Sequence, residues 1–86
     1  MKTIENKEDI PALKEAQAYV EGYVEKLELP NGDVLLFNEE GRMKGLDINI
    51  EATRLVNSFD TVYPTTILGN VIHLPNPSNK ESGRYD

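Results

Sequence analysis

Candidate polar chemistry is densest between Tyr23 and Lys44. Glu25 alternates with Tyr23, Leu27 and Leu29, which places it on a strand face that is otherwise apolar. A carboxylate there needs a partner, because an unpaired buried charge is costly. Gln17, Tyr23, Asn38, Glu40 and Arg42 are the neighbours on offer. Their grouping is that of a small polar pocket or contact patch at one end of a sheet; the plainer alternative is a carboxylate at the fraying start of a strand, hydrogen-bonded near Gly22. Glu39 and Glu40 form a charged turn that could meet a basic partner surface. Two adjacent glutamates supply too few oxygens for a hard cation, so no metal site is expected.

His73 is the only histidine, and no G-x-S-x-G word accompanies it. A solvent-facing or edge-strand histidine is expected. Gly45 and Gly69-Asn70 lack the glycine spacing of a P-loop or dinucleotide fingerprint, so they are turn or bulge residues and no cofactor is predicted. Tyr63, beside Pro64 and near Phe59, is the best candidate for an exposed aromatic anchor of the kind interfaces favour.

Local pattern sets the helices and strands around these side chains. Asp9-Ile10-Pro11 starts a helix, which the three-four spacing of Ile10, Leu13, Ala16, Gln17 and Val20 carries from Pro11 to Glu21, and Gly22 ends it through its tolerance of positive φ. Tyr23–Leu29 and Asp33–Asn38 flank Pro30-Asn31-Gly32, a strong hairpin signal. A two-residue Asn31-Gly32 turn would set Leu29 against Val34, Leu27 against Leu36, Glu25 against Asn38 and Tyr23 against Glu40. Val24, Leu35 and Phe37 line the other face, so the second strand is predicted to be interior and covered on both sides. Arg42–Lys44 suggests a short strand. Asp47 or Asn49 can cap a second helix with Ile48, Ala52, Leu55 and Val56 on one face, closed by Asn57-Ser58. A last strand is expected around Thr66 to Leu74. The predicted fold class is α+β: a small antiparallel sheet, hairpin 23–38 plus a C-terminal strand, packed with two short helices. The predicted divisions are a polar arm 1–9, one domain 10–74 and a disordered tail 75–86.

Eighty-six residues allow one modest core. Without cysteine there is neither a disulfide framework nor a thiolate zinc site. No apolar run is long enough for a signal peptide or a membrane span, and a cytoplasmic setting is the expectation. Fifteen acidic residues against nine basic give a net charge of -6, which argues against direct nucleic-acid binding and suits either solubility or attraction to a basic surface.

Several words in this order are similar to those of one family: Leu13-x-x-x-Gln17 leading into Val20-Glu21-Gly22-Tyr23-Val24-Glu25, the run from Asn38 to Leu46, Asn49 with Ala52-Thr53, and Ile67-Leu68-Gly69-Asn70-Val71. They cover residues 13–74 and resemble the DUF3846 domain of short phage, plasmid and bacterial proteins. The resemblance brings no activity. It implies a phage or mobile-element accessory protein in a bacterial cytoplasm.

Three functions are expected in descending order. The first is a non-enzymatic protein that binds a host protein through an acidic face, blocking or redirecting it, with nucleic-acid mimicry or anti-defence as its stronger form. The second is an oligomeric binder of a small ligand such as a nucleotide signal, with Arg42, Lys44, Arg54 and amides near Gly69 and Asn70 holding phosphates. The third is an enzyme with Glu25, Tyr23 and Glu40 as an acid–base site. An exposed strand edge would also permit a homodimer by sheet extension.

Overall fold

A computed structural model of the chain describes residues 1–59 and 64–76. Tyr63 and all but the first two residues of the predicted tail lie outside the described residues. Among the described residues seven elements follow in order: β1 (Lys2–Thr3), a 3-10 turn (Lys7–Asp9), α1 (Leu13–Val20), β2 (Val24–Glu28), β3 (Val34–Asn38), α2 (Ile50–Asn57) and β4 (Ile72–Leu74). The strands form one sheet in the order β1-β4-β3-β2. Only β1 and β4 run parallel; the other neighbours are antiparallel. The class is α+β, with a mixed rather than purely antiparallel sheet.

The sheet divides two small cores. On one face Ala16 of α1 packs with Ile4, Ile10, Val34, Leu36, Ile72 and Leu74. On the other, Ala52 and Val56 of α2 pack with Leu29, Leu35, Ile67 and Val71. β3, central and almost wholly buried, serves both faces by the two-residue alternation of a strand.

Pro30 decides the register of the hairpin. A two-residue turn would close on a Pro30–Asp33 pair, and proline has no N–H to give. The closing donor is instead Leu29 N, 2.7 Å from Asp33 O, while Gly32 N donates to Leu29 O at 2.9 Å. Gly32 takes φ +91°, as this three-residue loop demands. The predicted register therefore slips by one: Glu25 faces Phe37, Leu27 faces Leu35 and Val24 faces Asn38.

Other boundaries also move. α1 begins at Leu13, not Pro11, leaving Leu13 exposed in its first turn. The left-handed residue that ends it is Glu21, φ 65°, rather than Gly22. Gly22 is required for a different reason: a Cβ there would come within 2.7 Å of both Asn38 Nδ2 and Lys44 Nζ. Arg42–Lys44 is not a strand. Asn38 Oδ1 accepts from Glu40 N at 2.7 Å, which starts a run of turns in which Lys44 N reaches Glu40 O and Leu46 N reaches Gly41 O.

α2 is capped by Asn49, whose Oδ1 accepts from Ala52 N at 3.0 Å, and Ser58 closes it. Ile48, expected on its buried face, is exposed and bridges Leu68. The final strand is shorter than predicted. Residues 65–69 lie along α2 instead, tied by three side chains spaced four apart: Asn49 to Gly69 O, Thr53 to the backbone of Ile67, and Asn57 to the backbone of Thr65. β1, which no local pattern announces, adds the opposite edge.

Candidate functional site

The slipped register builds the site. Glu25 and Phe37 stand directly opposite, and Glu39, two residues beyond Phe37, shares their face, since its amide extends the ladder to Tyr23 O at 2.9 Å. Glu25 and Glu39 are thus diagonal neighbours across the two strands. The run of turns after β3 and the segment from Thr65 to Leu68 close a cleft of about 300 Å³ over them. Leu27, Phe37, Ile67 and Leu68 give it apolar walls, while Glu25, Glu39, Glu40 and Arg42 bring the charge. None of these four charged side chains enters an ion pair among the described residues. Met43, on the cleft margin, is 85% exposed.

Five predicted site residues therefore converge: Glu25, Asn38, Glu39, Glu40 and Arg42. Asn38 is the exception in kind. It is 3% exposed, and its Nδ2 donates to Val20 O at 3.0 Å and Glu21 O at 3.1 Å. With Oδ1 on Glu40 N, its amide is fully used in fastening the end of α1 to the turn behind the cleft. Tyr23 and Lys44 line a neighbouring depression of about 260 Å³ with Gln17, Gly22 and, again, Glu40. Tyr23 is 66% exposed, and Lys44 Nζ donates to Glu21 O at 3.1 Å. Asn70 belongs elsewhere, its Nδ2 donating to Tyr19 O at 2.9 Å. Arg54 is exposed on α2 and lines none of these hollows. The phosphate-holding set of Arg42, Lys44, Arg54 and the Gly69 amide does not converge, and Gly69 N is taken by Asp47 O at 2.7 Å.

His73 is neither solvent-facing nor on an edge. It sits in β4 between β1 and β3, with Nε2 2.8 Å from Asp33 Oδ2 and Nδ1 3.2 Å from Thr3 Oγ1. His73 and Asp33 are each 14% exposed. Burial alone would push the Asp33 carboxyl up; hydrogen bonds from His73, the Asn76 amide and Asn31, with the His73 charge, outweigh it and hold it below its ordinary value. A pairing between Asp33 at the hairpin tip and His73 in β4 leaves no signature in local pattern, which is why the sequence did not reveal it.

Among the described residues, no three His, Cys, Asp or Glu side chains stand close enough to share a metal ion, and no helix is long and apolar enough to cross a membrane. The family model described as a domain of unknown function, DUF3846, matches residues 1–83. The chain belongs to the DUF3846 family. The match extends beyond the words at 13–74 to take in β1 and the lead-in to α1, so the edge strand of this DUF3846 domain lies within the matched region. No curated protein and no solved structure matches the chain.

Proposed function

We propose that this DUF3846 domain is a non-enzymatic interaction protein of a phage or mobile element, which binds a host protein in the bacterial cytoplasm and blocks or redirects it. The observation that carries the reading is the cleft at the open end of the hairpin: three carboxylates, Glu25, Glu39 and Glu40, border apolar walls and are engaged by no cation among the described residues. Glu25, expected on a buried face, is exposed, as is Glu39, and Glu40 is half-buried. Surface carboxylates without an intramolecular cation are open to a partner of opposite sign, and a net charge of -6 steers such a partner in. A binder of nucleotide signals finds less support, because the basic groups that would hold phosphate are spread over separate places.

The test is capture from bacterial lysate on immobilised protein, washed at low and at high salt, beside the triple variant Glu25→Gln, Glu39→Gln, Glu40→Gln. A stoichiometric protein that is retained at low salt, released at high salt and lost from the variant is expected. A co-purifying nucleotide with no protein, or a protein retained equally by the variant, would count against the reading.

A further inference from the structure

We propose that the cleft and its neighbouring depression act as one groove for an extended partner segment carrying a single arginine among apolar residues. This rests on the interaction reading above and names the chemistry of its ligand. Glu40 lines both hollows, so they flank one carboxylate at the open end of the sheet. An exposed aromatic, Tyr23, marks one hollow and an exposed thioether, Met43, the other. Exposed apolar side chains of this size beside a groove mark contact surfaces, and a methionine adapts its shape to a partner.

The arrangement of charge selects the cation. No three carboxylates stand together to hold a metal ion among the described residues, yet Glu25 and Glu39 are diagonal neighbours and Phe37, which faces Glu25, lines the same cleft. A planar guanidinium fits: it spreads its charge over a fork of donors, pairs with carboxylates and stacks on an aromatic face, which a compact ammonium does less well. The aliphatic stem of arginine would lie on Leu27 and Leu68. Arg42 on the rim then discriminates, because it repels a second cation and welcomes an acidic or neutral neighbour. An isolated arginine is therefore preferred over a basic run, and an extended segment over free arginine, since only a chain reaches both hollows.

The experiment is a titration of the full ¹⁵N-labelled chain, followed by amide shifts, with a blocked Gly-Leu-Arg-Leu-Gly peptide. The same peptide with citrulline at the centre, blocked arginine amide and hexa-arginine are the comparisons. Expected are shifts focused on Glu25, Phe37, Glu39–Met43 and Leu68, and affinity about tenfold weaker for the citrulline peptide. The variant Glu25→Gln/Glu39→Gln should lose about as much while keeping its melting temperature. Equal binding of the citrulline peptide overturns the proposal. Equal binding of arginine amide makes the groove a small-molecule site and overturns it too. If hexa-arginine binds diffusely and the pentapeptide does not, the groove assignment falls and the broader acidic-partner reading stands; silence from both removes both.

Discussion

Asp33 accepts hydrogen bonds on both carboxylate oxygens, from His73 on one and from the Asn76 amide on the other, each at 2.8 Å. Asn76 in turn donates its side-chain amide to Asn31 O at 2.8 Å. One carboxylate thus fastens the hairpin tip to β4 and to the chain that follows it. Because its proton affinity is lowered in the fold, the stabilisation is fully present above the unfolded carboxyl value, about 3.9, and is lost as pH falls through the lower folded value. Asp33→Asn should cost on the order of 1.5 kcal/mol near neutrality. The urea midpoints of the two proteins should converge in acid, and a gap that persists unchanged to the bottom of the acid range would count against this role. Asn38 makes a harsher case. Asn38→Leu keeps the volume but strips partners from Val20 O and Glu40 N, at roughly 2–3 kcal/mol, and amide exchange at Glu40 should quicken beyond that of its neighbours.

At the scale of elements, Asn49 both caps α2 and holds Gly69 O. Asn49→Ala should cost about 1–2 kcal/mol, read as a lower melting temperature together with loosened exchange at Gly69 and Ile67. What the sequence allowed to be read, and what it hid, divides along the same line between local and distant. The hairpin, the Asn49 cap and the Ser58 stop rest on neighbours in the chain and were legible. Arg42–Lys44 alternates polar and apolar residues as a strand would, but the Asn38 side chain starts the turns that wind it up, and that contact has no mark in local pattern. The register turns on Pro30: Asn31-Gly32 alone favours a two-residue turn, and the absent proline N–H moves the closing pair to Leu29 and Asp33. The four-residue spacing of Asn49, Thr53 and Asn57 is what ties residues 65–69 along α2, and in sequence such a polar stripe is indistinguishable from a solvated helix face. Asn38, Glu40 and Arg42, of the neighbours the sequence offers Glu25, line the same cleft, while Gln17 and Tyr23 line the next hollow and Glu39 enters the cleft from the adjoining turn, because the facing partner of Glu25 depends on a register that local pattern does not set.

At the scale of the molecule, the sheet is a partition between two small cores rather than the floor of one. Neighbouring residues of β3 therefore fail independently: Leu35→Ala empties the α2 side and Leu36→Ala the α1 side. Each should cost about 2–5 kcal/mol out of the roughly 5–15 kcal/mol that holds a domain together, and urea midpoints would check both. The parallel pairing of Lys2–Thr3 with Ile72–His73 joins residues 70 apart in the chain, through Lys2 N on Val71 O at 2.8 Å and Ile4 N on His73 O at 2.9 Å. Every other strand pair can assemble before it, and its closure bears the entropy of the longest loop. β1 should thus be a late arrival in folding, docking onto a sheet whose rate-limiting nucleus is already set. Ile4→Ala would then accelerate unfolding and leave the folding limb of a chevron plot almost unmoved, whereas the same truncation at Leu36 should slow folding itself.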